Sequence, residues 1–184
     1  LLVHSIKGNG QAMKTIAIPA HTIGVRWIDS DHLLVWGRRK ESPEIRRDLG
    51  AYDTKPLFVV SLGDGKNSVR LLAENCVSHP ETAPDGKYIA ATVKTAGGAR
   101  ATCWQVGQIE PLWEHPRNIV AFGDNGWVAT GQRGGISQIR LLHDGRVIWQ
   151  REGVLEAQVK GKNLWLFTAR GYEVWQADWG EKKP

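Results

Sequence analysis

Residues 79–91 read His-Pro-Glu-Thr-Ala-Pro-Asp-Gly-Lys-Tyr-Ile-Ala-Ala, a tight turn that leads into a short apolar segment. Pro84 presets φ, Asp85 can accept hydrogen bonds from nearby backbone N–H groups, and Gly86 tolerates a positive φ without steric cost. These properties predict a β-hairpin here, with a structural role for its turn residues.

Similar turns recur along the chain, between an apolar run and a second strand, at residues 29–32, 123–126 and 160–163. A second turn follows the third strand of each unit, at residues 7–10, 63–66, 107–108 and 143–146. The repeating unit is therefore strand, tight turn, strand, loop, strand, tight turn, strand. Its length of roughly 35–55 residues is typical of one blade of a β-propeller.

The sequence therefore predicts an all-β chain, a β-propeller of four-stranded antiparallel blades. The predicted blades cover residues 20–75, 76–118, 119–153 and 154–184, and residues 1–19 match the last two strands of a blade. Either these N-terminal strands complete the last blade of a small ring, or the chain is part of a larger propeller. Because the chain starts without Met and its last blade stops after three strands, we expect a fragment whose remaining blades lie elsewhere.

The composition agrees with a globular β-rich chain. Of 184 residues, 41% are hydrophobic and 23% are charged, which excludes disorder and collagen-like repeats. Nine Trp stand beside three Phe and three Tyr, and such rings can fill the space between blades. We expect this packing role for Trp104, Trp113, Trp149, Trp165 and Trp175.

The stretch 79–91 also resembles the repeat of TolB-like and WD40-like β-propellers, as in the propeller domain of prolyl-oligopeptidase-type peptidases. Those blades carry a Ser-Pro-Asp-Gly-Lys turn before a strand, whereas Ala83 stands here in place of the Ser. The resemblance implies a propeller and leaves the function open.

The first strand of a blade lines a propeller's central channel, and we predict first strands near residues 23–28, 77–80, 119–122 and 155–159. The channel-lining candidates are Arg26, Asp29, His79 and Glu81. They are polar side chains on or beside those strands.

An insertion at residues 38–55 is longer than the matching loops of the other repeats, and loops on rigid scaffolds often carry binding residues. It supplies the predicted partner-binding residues Arg38, Arg39, Arg46, Arg47 and Tyr52. The formal net charge of +5 suits an anionic partner, but acids interrupt this basic cluster and the Lys and Arg residues are scattered. We therefore expect a protein or peptide partner rather than a nucleic acid.

No catalytic constellation is recognisable in the sequence. It has no Gly-x-Ser-x-Gly elbow, phosphate-binding loop or His-Glu-x-x-His motif, and its six His residues stand singly. We predict no cofactor and no metal site. No apolar run reaches the ~18 residues that a membrane helix requires. Cys76 and Cys103 fall about two strand spacings apart in the predicted blade, too far for a disulfide.

Three functions remain open. The first is a non-catalytic scaffold that binds a protein or peptide. The second is the substrate-gating propeller of a larger prolyl-oligopeptidase-like serine peptidase whose catalytic domain lies outside this chain. The third is a ligand-binding or enzymatic propeller that uses the channel residues.

Overall fold

The computed structural model describes residues 2–4, 12–18, 20–39, 55–62, 67–123, 126–131, 137–160 and 163–176. Seventeen strands and no helix occur in these ranges, and the paired strands whose register is defined run antiparallel. The predicted all-β antiparallel fold is therefore confirmed. The chain divides into two compact units, Leu1–Asn75 and Cys76–Pro184. None of the described segments is a helix long and apolar enough to cross a membrane.

The first unit contains a two-stranded hairpin and four strands that pair in one sheet. The hairpin pairs β1 (Leu2–His4) with β2 (Ala12–Thr15). The sheet takes its strands in chain order, from β3 (Ala20–Trp27) through β4 (His32–Arg39) and β5 (Lys55–Leu62) to β6 (Asn67–Cys76). Its core joins alternate residues of β4 and β5 to two isoleucines that follow β2: Ile16, Ile18, Leu33, Val35, Phe58 and Val60. The neighbouring residues of these strands, among them Leu34, Leu57 and Val59, are buried as well, so side chains on both faces of these two strands are covered.

The second unit contains three successive sheets, named here the second, third and fourth sheets. The second sheet contains β7 (Glu81–Thr82), β8 (Tyr88–Thr95), β9 (Gly98–Gln105) and β10 (Trp113–His115), and Cys76, the last residue of β6, also pairs with Val93 of β8. The third has β11 (Asn118–Phe122), β12 (Trp127–Gly131), β13 (Ser137–Leu141) and β14 (Val147–Arg151) in that order. The fourth has β15 (Val154–Lys160), β16 (Asn163–Thr168) and β17 (Gly171–Gln176).

The predicted turn chemistry is present in two sheets. Asp85 Oδ1 accepts a hydrogen bond from the Lys87 backbone N–H at 3.0 Å, and Gly86 has a φ of 70°. In the third sheet, Asp144 Oδ1 accepts from the Arg146 N–H at 2.9 Å, and Gly145 has a φ of 71°. An acceptor followed by a glycine at positive φ thus closes both hairpins, as the sequence predicts.

One predicted strand is displaced. The sequence placed the first strand of the second sheet at residues 77–80, whereas the observed strand is Glu81–Thr82. The segment before it is held by two hydrogen bonds to Thr92: the Val77 N–H donates to the Thr92 carbonyl, and the Thr92 N–H donates to Ser78 Oγ, both at 2.9 Å. Because a side-chain hydroxyl replaces one backbone acceptor, this segment follows β8 without forming a regular ladder.

Two apolar clusters hold the second unit together. One packs the second sheet against the third and contains Ala90, Cys103, Val128 and Leu142 among its members. The other packs the third sheet against the fourth and consists of Trp127, Ala129, Ile139, Val154, Ala157, Leu164 and Leu166. Alternate residues of the third sheet therefore point to opposite neighbours, and both of its faces are covered.

Candidate functional site

Asp29, a predicted channel residue, caps the turn between β3 and β4. Its Oδ1 accepts from the backbone N–H groups of Asp31 and His32 at 2.8 Å, and His32 Nδ1 lies 2.9 Å from both carboxylate oxygens. Burial works to raise the pKa of Asp29, but the hydrogen bonds and the His32 ring together lower it below its ordinary value. The carboxylate of Asp29 thus has a structural use in this turn.

The other three channel candidates differ in their environments. Arg26 is exposed on β3 opposite Leu34, and His79 is exposed in the segment before β7. Glu81 is half-buried on β7, where it pairs with Ala90. Arg26 belongs to the first unit and the other two to the second. Their role as channel-lining residues stays a prediction.

The predicted partner-binding insertion falls mainly outside the described residues. Arg38 and Arg39 are the last two residues of β4, paired with His21 and Ala20 of β3. Arg46, Arg47 and Tyr52 lie between the described ranges that end at residue 39 and begin at residue 55. The binding role of these five residues also stays a prediction.

The fourth sheet carries four of the exposed large apolar side chains found among the described residues of the second unit: Leu155, Tyr172, Val174 and Trp175. Its inner face packs on the third sheet, where the rings of Trp149 and Trp175 meet edge to face with centroids 5.5 Å apart. Arg151 Nη2 donates to Glu173 Oε1 at 2.7 Å across the same junction. Leu164 and Leu166 are fully buried on this face.

The opposite face, named here the aromatic face, carries Trp165, Phe167, Tyr172 and Val174. Cross-strand pairing places Trp165 opposite Val174 and Phe167 opposite Tyr172, so the four side chains share one side of the sheet. Tyr172 is 66% exposed and Val174 is 46% exposed, and the Tyr172 ring stacks on that of Trp165 at 5.8 Å. Aromatic rings left at a surface are typical of a contact site.

The edge of this sheet adds a second feature. Within the described residues, β17 pairs with β16 on one side and with no strand on the other. An edge strand of this kind presents backbone N–H and C=O groups that another strand can pair with. The aromatic face and the β17 edge therefore form one candidate site for an extended polypeptide.

The sequence contains a signal for this site that the repeat pattern obscured. Leu164, Trp165, Leu166 and Phe167 are consecutive and apolar, which is typical of a strand covered on both faces. Trp165 was predicted to pack between blades together with Trp175. Trp175 does contact the third sheet through Trp149, whereas Trp165 lies on the aromatic face.

The described residues contain no group of three or more His, Cys, Asp or Glu side chains that could hold a metal ion. Cys76 and Cys103 are free and buried, and burial raises the pKa of the Cys103 thiol to about 12. A thiol with so high a pKa is a poor nucleophile at neutral pH.

The comparisons with known proteins bear on the fold alone. No protein-family model matches the sequence, and no curated protein matches it either. The chain is similar in structure to the computationally designed Ika4 protein, at 15% identity and a TM-score of 0.50, over 89% of this chain and 95% of Ika4. The designed Ika8 protein matches at 15% identity and a TM-score of 0.51, over 92% of this chain.

A third similar structure is BamB from Moraxella catarrhalis, at 18% identity and a TM-score of 0.49, over 95% of this chain. The chain spans about half the length of Ika8 and of BamB. The likeness to the two designed proteins agrees with the all-β architecture described above.

Proposed function

We propose that this protein is a non-catalytic, propeller-like scaffold that binds an extended segment of a protein or peptide along β17. The similar designed proteins are propeller-like. The order of strands supports the same fold, since each sheet of the second unit follows the previous one in the chain and packs on it. Sheets arranged in this way are typical of successive blades.

The aromatic face beside the edge of β17, which pairs with no second strand in the described ranges, is the observation that carries the proposal. Both faces of the third sheet carry apolar side chains, and a neighbouring sheet covers each face. The fourth sheet has the same two-sided apolar pattern, yet Tyr172 and Val174 remain exposed. A partner that covers them removes apolar surface from water, at about 25 cal/mol for each Å² buried.

Strand addition explains how both features would act together. A peptide strand beside β17 would form backbone hydrogen bonds with its free edge, and these bonds are independent of the peptide's sequence. Alternate side chains of that strand would lie over the aromatic face next to Tyr172 and Val174. Selectivity would then come from large apolar residues at every second position of the partner.

A non-catalytic role fits the residues better than the other two functions. A peptidase propeller would depend on a separate hydrolase domain, and an enzymatic propeller on its channel residues. Asp29 is held in a turn by backbone groups, and the buried thiol of Cys103 has a high pKa. Neither residue is arranged as a nucleophile or a general base.

The test is selection of ligands from a phage-displayed library of random peptides about ten residues long, a length that suits a single strand. We expect selected peptides to alternate apolar and polar residues. Replacing Tyr172 and Val174 together with Ser should weaken their binding by roughly tenfold or more, because two exposed contact residues are lost.

The matched control is Ile109→Ser, which removes a side chain 52% exposed in the segment between β9 and β10 of the same unit. This change should leave peptide binding unaltered. If the Ile109 variant loses as much affinity as the double variant, or if neither loses any, the fourth sheet is not the binding site.

A further inference from the structure

A charged arginine lies buried between the second and third sheets. Arg140 is on β13, opposite Val128 of β12, and is only 7% exposed. Val128 belongs to the cluster that packs against the second sheet, so Arg140 points to the same junction. Arginine is rarely so deeply buried without a charged partner.

The hydrogen-bond partners of Arg140 are neutral. Nη1 donates to the Gly145 carbonyl at 2.6 Å, and Nη2 donates to Gln138 Oε1 at 2.7 Å. Its buried Nε has no hydrogen-bond acceptor in the described part of the chain. None of the ion pairs found among the described residues includes Arg140. Its charge is therefore buried with no carboxylate among the described residues to pair with it, which is unfavourable unless an anion compensates for it.

The last strand of the second sheet brings a histidine to the same place. Trp113 Nε1 donates to the Leu142 carbonyl at 2.8 Å, which joins β10 to the residue after β13. His115 is two residues beyond Trp113, and Arg140 is two residues before Leu142. Because strand side chains alternate, His115 and Arg140 extend from facing sides of the two strands. The Nδ1 atom of His115 is buried and has no hydrogen-bond partner among the described residues.

A turn places a second arginine beside them. The Arg117 N–H donates to the His115 carbonyl at 2.7 Å, so the chain folds back around Pro116. The charge of Arg117 lowers the pKa of Arg140, after the larger effect of burial. Burial and then the charges of Arg140, Arg117 and Arg100 lower the pKa of His115 to about 4. These effects indicate a region of strong positive potential.

Arg100 belongs to a different environment. Its Nε lies 3.2 Å from Glu114 Oε2, and Glu114 is on the face of β10 opposite to His115. This ion pair compensates for the charge of Arg100. His115, Arg117 and Arg140 are named here the positive cluster.

We propose that this cluster binds a phosphate group, with the guanidinium groups of Arg117 and Arg140 and the ring of His115 around its oxygens. Guanidinium groups match phosphate oxygens in geometry, and charge-assisted hydrogen bonds of this kind are strong. Two arginines supply two positive charges, which suit a phosphate dianion better than a single carboxylate. Arg117 and His115 are only half-buried, so part of each side chain is exposed to solvent.

The binding site would also take up a proton. His115 is neutral at pH 7 in the free protein, because its pKa is about 4. The charged groups around the ring are Arg140 on β13, Arg117 after β10, and the Arg100–Glu114 pair on β9 and β10. A bound dianion would offset the repulsion from the arginines and so stabilise the protonated form of the ring. The pKa of His115 should therefore rise on binding.

The experiment is a titration of the full chain with inorganic phosphate at constant ionic strength, followed through the His115 ring resonances by NMR. We expect a saturable shift and a raised His115 pKa. Arg117→Gln should weaken phosphate binding by roughly tenfold, the loss expected for one charge-assisted hydrogen bond. Arg170→Gln, which removes an exposed arginine between β16 and β17, should leave it unchanged.

Parallel titrations separate the ligand classes. If phenyl phosphate binds as tightly as inorganic phosphate, the result supports a phosphomonoester as the ligand. If only inorganic phosphate binds, the result supports the free phosphate ion. Acetate binding as tightly as phosphate would overturn the assignment. A resonance shift that does not saturate would also overturn it. So would an equal loss of phosphate affinity in the Arg117→Gln and Arg170→Gln variants. Arg140→Gln is informative only where its circular dichroism matches the wild type, and the Arg117 variant decides the question without it.

Discussion

The third and fourth sheets share a local design but differ in what covers them. In the third sheet, every residue of β12 and β13 is buried, because the second sheet covers one face and the fourth covers the other. In the fourth sheet, Leu164 and Leu166 are buried on the inner face, while Tyr172 and Val174 on the other face are exposed. The comparison shows that each of these sheets has two apolar faces, and that neighbouring sheets determine which face is buried.

This difference also separates stability from recognition. Side chains between two sheets contribute to the free energy of unfolding, whereas we propose that side chains on the aromatic face contact a partner. The two groups should therefore respond differently to the same kind of substitution. Four predictions, in order of expected effect, examine that division.

The largest loss of stability is expected for a substitution at the junction of the third and fourth sheets. Trp127 is 1% exposed and belongs to the cluster shared by these sheets. Trp127→Ala should lower the free energy of unfolding by about 4 kcal/mol, because it removes buried surface and leaves a cavity. Trp27→Ala changes a ring that is 54% exposed on β3 and should cost about 0.5 kcal/mol or less. Urea unfolding followed by fluorescence measures both, and equal losses would contradict the burial pattern.

A smaller loss is expected where the second sheet meets the third. Gly145 has a φ of 71°, and a Cβ there would lie 2.7 Å from Trp113 Cγ. Gly153 has the same φ and open space around its Cβ position. Gly153→Ala should cost about 1 kcal/mol from the backbone alone, and Gly145→Ala about 2 kcal/mol or more because the anchored indole must move. Urea midpoints compare them, and a larger loss at Gly153 would show that Trp113 does not pack as described.

The same junction should respond to pH. The pKa of His115 falls from its ordinary value of 6.5 to about 4 on folding, through burial and the nearby arginines. Between these values the unfolded chain binds more protons than the folded chain, so stability should decrease as the pH falls from 6.5 to about 4. His115→Gln should reduce this dependence, whereas His79→Gln, at an exposed position, should keep it. Unfolding curves across this range test it, and an unchanged slope in the His115 variant would exclude such a pKa shift.

The smallest effect on stability is expected on the aromatic face. Replacing Tyr172 and Val174 with Ser should change the free energy of unfolding by about 1 kcal/mol or less, since both side chains are exposed. Loss of the stacking with Trp165 accounts for part of this change. Thermal unfolding by circular dichroism provides the check. A loss as large as that of Trp127→Ala would mean that the aromatic face is already covered within the protein.

The sequence predicted the features that depend on local chemistry. The turn at Pro84, Asp85 and Gly86 has the expected hydrogen bond and positive φ, because both are determined by residues next to each other. Antiparallel strands in chain order follow from the spacing of such turns. The two-residue strand Glu81–Thr82 was missed because Ser78 Oγ takes the place of a backbone acceptor, which requires knowledge of Thr92 fourteen residues later.

The candidate sites depend on longer-range packing. Arg140 is the one charged residue in the strand Ser-Gln-Ile-Arg-Leu, and its burial is visible only once Trp113 has joined the second sheet to Leu142. Trp165 and Trp175 are equally apolar in sequence, but their strands place them on opposite faces of the fourth sheet. The alternation of side chains along a strand predicts that these residues lie on different faces of the sheet. Only the tertiary structure shows which face is covered.

Hydrogen exchange tests the binding of an extended partner to the fourth sheet most directly. The full chain would be compared with and without a peptide selected from the displayed library, with amide exchange followed residue by residue. We expect new protection of β17 amides along the edge that has no partner strand in the described part of the chain, while the amides of β12 and β13 keep their exchange rates. Protection confined to other strands, or a tightly bound peptide that leaves β17 exchange unchanged, would contradict it.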